Sequence, residues 1–179
     1  MKWAYDHELK RRDCVSRKIR DMGRQPGAGV LVVGRRVPHG ALPSPIIDSF
    51  CLRVVRAMRC RLDGEYGAVH RVCGTYILQF SPGPLETKRM AVRLEQDLWY
   101  GFLVDVDVYD GVIPVTRHSL GLPPRSCYVC GSPSKECVVK SRHSRPRTIV
   151  KIWISLIGRA ILHRVRPNGK MRGENSSES

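Results

Sequence analysis

Residues 101–116 have the sequence GFLVDVDVYDGVIPVT, and this stretch decides the fold. Apolar and polar side chains alternate from Val104 to Val108, which is the period of a β-strand, and the strand is predicted to span Gly101 to Tyr109. Asp110-Gly111 is a strong hairpin-turn signal, so Val112 to Thr116 is predicted to return as an antiparallel strand. Pro114 cannot donate a hydrogen bond to a neighbouring strand, which indicates that the returning strand lies at an edge.

Helices and strands are intermixed on both sides of this hairpin. A buried strand is predicted at Val30–Val33, and Val69–Phe80 contains strand pieces, of which Thr75–Leu78 is the clearest. Helices are predicted at 3–21, from Ser44-Pro45 to Asp63-Gly64 with Ser44 as a cap, at Leu85–Leu98, from about Ser134, and from Pro146 to about Arg164. The pattern predicts an α+β fold, with a small mixed or antiparallel sheet and flanking helices. We expect one domain at 1–166 and a polar, disordered tail at 167–179.

The composition limits the classes of partner. The chain has 179 residues, 42% of them hydrophobic and 26% charged, and a net charge of +15. Such a charge attracts nucleic acid, acidic membranes, phosphorylated ligands or acidic proteins. The basic residues are spread along the chain, so nucleic-acid binding is a rival hypothesis and not the first one. No stretch approaches the roughly 20 apolar residues of a membrane span, and the N-terminus lacks an apolar signal core. We therefore expect no membrane association and a cytoplasmic location.

Two acids interrupt the apolar residues of the predicted strand. Asp105 and Asp107 fall on one face of it, while Val104, Val106 and Val108 fall on the other. Two carboxylates about 7 Å apart repel each other, and a divalent cation relieves that repulsion. Magnesium binds one or two carboxylates together with substrate phosphates, so the pair indicates a magnesium site for phosphoryl transfer. A half-exposed strand with two solvated acids is the alternative.

The chain has seven cysteines, and an odd number in a cytosolic protein argues against a disulfide framework. Cys51, Cys60 and Cys73 lie among apolar neighbours and are predicted to be small core residues. Another group has the spacing C-x2-C-x6-C-x5-H, and a Cys3His set is a normal zinc environment. A structural zinc site and a metal-free thiol cluster are the two interpretations. The spaced residues are Cys127, Cys130, Cys137 and His143.

Basic residues flank both motifs. Arginine forks match the geometry of phosphate oxygens, and Pro123-Pro124 would hold Arg125 rigidly. A solvated basic face is the alternative for any one such residue. We favour phosphate binding for Arg117, Arg125 and Arg142, because they lie where the family resemblance described next is densest.

The order of the motifs is recognisable. A helix with Lys88 and Glu95 leads into Gly101-x-Leu103-x-Asp105-x-Asp107-Val108. The segments that follow are Thr116-Arg117, Leu120-Gly121-Leu122-Pro123-Pro124-Arg125, the spaced cysteines, and Ser141-Arg142-His143-Ser144. This order resembles the holo-citrate lyase synthase family, also called apo-citrate lyase phosphoribosyl-dephospho-CoA transferases. The resemblance is strong over 85–145 and weaker but collinear over 11–80, where Arg12-Asp13 and Arg17 resemble an arginine-rich helix of the family.

The resemblance implies an activity and its participants. The family transfers the prosthetic group from 2'-(5''-triphosphoribosyl)-3'-dephospho-CoA to a serine of the citrate lyase acyl-carrier subunit, and diphosphate leaves. It implies Asp105 and Asp107 as magnesium ligands and Glu95 as the group that orients or deprotonates the serine. The positive charge suits both a phosphorylated donor and an acidic carrier. The phosphate-binding residues implied are Lys88, Arg117, Arg125, Arg142 and Arg17. The strand-borne acid pair is nucleotidyltransferase-like by analogy.

Two positions depart from the family pattern. The family has arginine where this chain has Phe102, and lysine where it has Ile47. Both departures remove a cation from the expected phosphate site. They favour, as one alternative, a divergent nucleotidyltransferase with another donor or acceptor. The other alternative is a zinc-containing basic nucleic-acid-binding protein.

Overall fold

The structure is a computed structural model that describes residues 2–25, 27–38, 40–81 and 83–165. The predicted tail at 167–179 and its boundary at 166 lie outside the described residues. The described residues form five α-helices and five strands in one α+β domain, which confirms the predicted fold class. The helices are α1 (Lys2–Met22), α2 (Ser44–Arg61), α3 (Pro84–Asp97), α4 (Ser134–Val139) and α5 (Arg145–Val165). The strands are β1 (Gly29–Arg35), β2 (His70–Val72), β3 (Thr75–Phe80), β4 (Val104–Asp110) and β5 (Ile113–Val115).

The five strands form one antiparallel sheet in the order β2-β3-β1-β4-β5. The predicted buried strand is β1, which lies at the centre and pairs with β4 along the whole of Val104–Asp110. In contrast, β5 pairs only with Val108–Asp110. The hairpin at Gly111 and the edge position of Pro114 are both as the sequence predicts. The first half of β4 therefore has a strand on one side only.

The two faces of the sheet are covered differently. Val104, Val106 and Val108 point into the main core, which α2, α3 and α5 complete. On the opposite face, α1 places Ile19 and Met22 against the other side of the sheet. The residues of β1 alternate between these two cores, as expected for a central strand. Helix α5 carries charges along its length, and no helix among the described residues combines the length and apolar character of a membrane span.

The beginning of β4 differs from the prediction. The segment Gly101–Leu103 forms a short 3-10 turn, so the strand begins at Val104 and not at Gly101. The turn is closed by the amide of Leu103, which donates to the carbonyl oxygen of Tyr100 at 2.9 Å. A Cβ atom on Gly101 would lie 2.0 Å from the carbonyl oxygen of Glu95. The glycine thus permits close contact between the end of α3 and the entry to β4.

Three other predictions are wrong. Ser44 is not a cap: Pro43 occupies the cap position, its carbonyl oxygen accepts from Ile46 at 3.1 Å, and Ser44 is already helical. Cys51 is buried as predicted, but Cys60 and Cys73 are exposed. Cys60 lies off the buried stripe of α2, and Cys73 occupies the β2–β3 turn with a φ of 47°.

Candidate active site

Asp105 and Asp107 lie on one face of β4, as the alternation predicts. Their side chains are 41% and 51% exposed, respectively. Gly34 of β1 lies directly opposite Asp105, and Thr75 of β3 lies on the far side of Gly34. Since Gly34 has no side chain, the surface beside Asp105 is open. A glycine inside a strand often marks such a place, where a ligand approaches the backbone closely.

Helix α3 supplies two charged side chains to the unpaired half of β4. The Nζ atom of Lys88 donates to the carbonyl oxygen of Val106 at 2.8 Å. The amide of Val106 donates to Oε1 of Glu95 at 2.9 Å. Lys88 and Glu95 are seven residues apart, which places them on the same side of the helix. They take the place of the strand partner that β5 does not provide for Val106.

Both of these charges are buried. Lys88 is 3% exposed and the side chain of Glu95 is 8% exposed. Burial lowers the pKa of Lys88, although Asp107 and Glu95 oppose the shift. Burial raises the pKa of Glu95, although Arg125 opposes it. A buried charge is costly unless it is paired, so the two side chains depend on their polar neighbours.

Arg125 links the buried and exposed carboxylates. Its Nη1 donates to Asp105 and its Nη2 donates to Glu95, while its side chain is only 18% exposed. Although burial acts in the opposite direction, Glu95 and Asp105 raise the pKa of Arg125. Arg117 approaches the same site, with Nη1 3.8 Å from Oε2 of Glu95 and Nε donating to Pro123 at 3.1 Å. Lys88, Arg117 and Arg125 are thus brought together with the acids.

The negative charge of Asp107 has a more distant cation partner than that of Asp105. Its nearest described cation is Nζ of Lys88, which lies 3.9 Å from Oδ1. Partial burial and the negative charge of Asp105 raise the pKa of Asp107. Carboxylate oxygens that are accessible and adjacent form the kind of ligand set that magnesium prefers. The donor set therefore fits this ion.

Sequence reasoning missed two arginines near the acids. Arg36 follows β1, donates from Nη2 to the carbonyl oxygen of Ser126 at 2.9 Å, and lies 5.6 Å from the ring centroid of Tyr128. Burial and the charge of Arg125 lower the pKa of Arg36. Arg11 of α1 donates to Oγ1 of Thr75 at 3.1 Å, in the row of residues that contains Asp105. No local sequence signal marks either arginine, because the position of Arg36 depends on which strands pair and that of Arg11 depends on how α1 packs against the sheet.

Two predicted phosphate-binding residues have other described contacts. Arg17 is exposed on α1 and donates to Sγ of Cys14 at 3.6 Å. Arg142 donates to Oγ of Ser132 at 3.3 Å, beside the cysteines. The described contacts of these two arginines do not join them to Asp105 or Asp107.

The predicted Cys3His set converges on one point. The ligand atoms of Cys127, Cys130, Cys137 and His143 all lie within 4.8 Å of one another. The segment enters a tight turn in which the amide of Gly131 donates to the carbonyl oxygen of Cys127 at 2.8 Å, with Gly131 at a φ of 78°. A left-handed glycine lets the chain reverse between the first two cysteines and the third.

The two departures from the family pattern lie in different environments. Ile47 lies on the buried face of α2, in the core. Phe102 is half-buried, and the guanidinium carbon of Arg159 lies 4.8 Å from the centroid of its ring. Helix α5 thus brings a cation to the position where the family has an arginine.

The fold and site define an α+β protein with two partly exposed carboxylates beside enclosed cations. Residues 60–156 match the family described as apo-citrate lyase phosphoribosyl-dephospho-CoA transferase. One curated relative, the probable apo-citrate lyase phosphoribosyl-dephospho-CoA transferase of Streptococcus pyogenes serotype M18 (strain MGAS8232), is 29% identical over 138 residues. That alignment covers 72% of this chain and 71% of the relative.

A second relative is Protein CitXG of Leuconostoc mesenteroides subsp. cremoris, which is 30% identical over 127 residues. The alignment covers 66% of this chain and 27% of that protein, so the similarity concerns only a part of CitXG. The chain belongs to the apo-citrate lyase phosphoribosyl-dephospho-CoA transferase family, which confirms the resemblance. The matched range contains α3, β4 and the cysteine cluster, and it leaves out α1 and β1.

Proposed function

We propose that this chain transfers phosphoribosyl-dephospho-CoA from 2'-(5''-triphosphoribosyl)-3'-dephospho-CoA to a serine of the citrate lyase acyl-carrier subunit. The serine oxygen forms a bond to the donor phosphorus nearest the ribose, and the bond from that phosphorus to diphosphate breaks. The product is a phosphodiester, so the reaction is a nucleotidyl-type transfer. Family membership supports the proposal, and the observation that carries it is the placement of Asp105 and Asp107 beside Arg125.

The acid pair gives this reaction its metal site. Asp105 and Asp107 would hold magnesium, which when bound neutralises charge on the attacked phosphate and the departing diphosphate. Asp107 is the more exposed of the two and makes the weaker contact with a cation of the chain. It is therefore the carboxylate with more capacity for a further cation.

The arginines bind the donor phosphates. A guanidinium has five N–H donors, and the described bonds of Arg125 use two of its nitrogens, which leaves donors for phosphate oxygens. Arg117 and Arg36 lie near the same carboxylates, and Arg11 lies farther along the sheet, where it donates to Thr75 of β3. Hydrogen bonds from fixed cations to phosphate are charge-assisted, and they stabilise charge that develops as the diphosphate leaves.

We assign Glu95 an orienting role. Its Oε1 accepts from both Val106 and Arg125, and its side chain is enclosed. It therefore acts on the reaction by holding Arg125 in place. The loose transition state of phosphoryl transfer needs little help from a base, so the serine proton passes to water at the open face.

The charge of the chain suits the proposed partner. With a net charge of +15, the protein attracts an acidic carrier as well as a phosphorylated donor. Complementary charge raises the rate of association more than the affinity, and salt screens it. We expect the apparent KM for the carrier to rise with ionic strength more than kcat falls.

The direct test is mass spectrometry of the apo-carrier after incubation with the protein, the donor and magnesium. We expect the carrier mass to rise by one prosthetic group, with one diphosphate released for each. The Streptococcus relative is the positive control. If that relative loads the carrier and this protein does not, the proposed combination of donor and acceptor is wrong. A panel of other nucleotide donors would then test the divergent-transferase hypothesis, and a filter-binding titration with nucleic acid at low salt would test the binding-protein hypothesis.

A further inference from the structure

The Cys3His cluster has the dimensions of a tetrahedral metal site. With zinc–sulfur bonds of about 2.3 Å and zinc–nitrogen bonds of about 2.0 Å, the donor atoms of a tetrahedral Cys3His site lie roughly 3.5–3.8 Å apart. Sγ of Cys130 is 3.4 Å from Sγ of Cys137 and 3.3 Å from Nε2 of His143. A disulfide needs sulfurs about 2.05 Å apart, so the two cysteines are reduced.

The local backbone supports the same geometry. Cys127 and Cys130 come from one tight turn, Cys137 from α4, and His143 from the segment after it. The amide of Val129 donates to Sγ of Cys127 at 3.4 Å, which holds this sulfur within the turn. Four ligand residues from three segments thus meet within 4.8 Å of one another.

The surrounding chain has almost no core of its own. Between residues 109 and 151, only Cys127 and Cys137 are buried. Its other apolar contacts are limited, because Val115, Tyr128 and Ile149 are only partly buried against the main core. Metal binding is a known supplement to a small core. Both buried residues are members of the cluster.

We propose that Cys127, Cys130, Cys137 and His143 bind one structural zinc ion, which fixes the loop that carries Arg125. Thiolate and imidazole ligands in a tetrahedral arrangement select zinc among the common divalent ions. The cysteine protons leave as zinc binds, and His143 coordinates as a neutral imidazole. All four protein ligands are present, so the site is closed to substrate and its role is structural.

The connection to Arg125 runs through short contacts. Ser134, the first residue of α4, donates its amide to the carbonyl oxygen of Arg125 at 2.8 Å. Ser126 pairs with Pro133, and the amide of Cys127 donates to the carbonyl oxygen of Ser132 at 2.7 Å. The metal would link the turn that carries Cys127 and Cys130 to Cys137 of α4, next to these hydrogen bonds. Zinc therefore positions Arg125 without contacting substrate, and this second step rests on the proposed function.

Metal content tests the first step. The full chain is expressed with zinc in the medium, passed over a chelating resin, and measured by elemental analysis beside its protein concentration. We expect about one equivalent of zinc, its loss in Cys137→Ser and His143→Ala, and its retention in His143→Cys and in the control Cys60→Ser. Cobalt in place of zinc should give the intense visible bands of a tetrahedral thiolate site. Less than about a tenth of an equivalent, or full zinc in Cys137→Ser, overturns the proposal.

Hydrogen exchange tests the second step. Removal of zinc with a chelator should speed amide exchange across residues 121–137 at least tenfold and leave β1 and β3 unchanged. Cys130→Ser should reproduce the effect, whereas Cys60→Ser should not. Unchanged exchange in zinc-free protein would show that the metal does not hold the loop. Neither measurement uses donor or carrier, so a failure of the transferase proposal is distinguishable from a failure of this one.

Discussion

The two halves of β4 complete their hydrogen bonds in different ways. Val108–Asp110 has a strand on each side, because β1 and β5 both pair with it. Val104–Asp107 has only β1, and the amide and carbonyl of Val106 bond to Glu95 and Lys88 instead. A strand edge without a neighbouring strand can thus hold buried charged side chains by hydrogen bonds to its backbone. Those charges then surround the acids on the same half of the strand.

The sharpest test of the comparison exchanges one acid in each half of β4. Asp107→Asn should lower the rate of carrier loading by about 10³-fold, because it removes a charged metal ligand. Asp110→Asn, in the exposed and fully paired half, should change the rate less than twofold. Initial rates by carrier mass spectrometry provide the measurement. Equal rates for the two variants would refute the assigned role of the acid pair.

Because Glu95 bonds to the unpaired half of β4, its removal should lower the free energy of unfolding. Glu95→Ala leaves Val106 and Arg125 without their buried acceptor, and breaking a buried ion pair costs about 3–5 kcal/mol. Glu86→Ala is the matched control, because Glu86 is exposed in the first turn of the same helix and contributes about 1 kcal/mol or less. Urea unfolding gives both values. Similar losses in the two variants would mean that Glu95 does not anchor β4.

Lys88 is expected to contribute less than Glu95 to the free energy of unfolding. Lys88→Met keeps most of the volume of the side chain but leaves the carbonyl oxygen of Val106 unpaired, which costs about 1–3 kcal/mol. Arg89→Met, on the exposed side of α3, should stay within about 0.5 kcal/mol. If Lys88→Met is as stable as Arg89→Met in urea, the bond to Val106 is not needed for folding.

The smallest effect expected concerns pH. Since burial raises the pKa of Glu95, its carboxyl contributes stability that is fully present below the unfolded pKa of about 4.3. That contribution is lost as pH rises through the higher pKa of the folded state. The free energy of unfolding of the wild type, relative to Glu95→Gln, should therefore fall between about pH 4 and neutral pH. A rise over the same range would show that Arg125 and Lys88 outweigh burial.

Local patterns predicted much of this structure. Alternation placed Asp105 and Asp107 on one face of β4, and turn chemistry gave the hairpin, because both depend on neighbouring residues alone. Helical periodicity could have corrected the prediction that Cys60 is a core residue. The buried stripe of α2 includes Cys51, Met58 and the capping residue Leu62, and Cys60 falls between its members.

Other features depend on contacts between distant segments. The sequence does not say that β5 stops at Val115, so it could not show that Lys88 and Glu95 would bond to Val106. Arg36 approaches the acids because β1 and β4 are antiparallel neighbours. The magnesium-binding and phosphate-binding roles of the site remain predictions.

Because Gly101 is a glycine, a substitution at this position would affect the site. The glycine lies against the backbone of Glu95, so the last turn of α3 and the entry to β4 meet without any intervening atoms. Even a methyl group there would separate the two elements and carry the carboxylate of Glu95 away from Val106. A change as small as Gly101→Ala would therefore reach Asp105 and Asp107 by moving the scaffold, although it alters no charge.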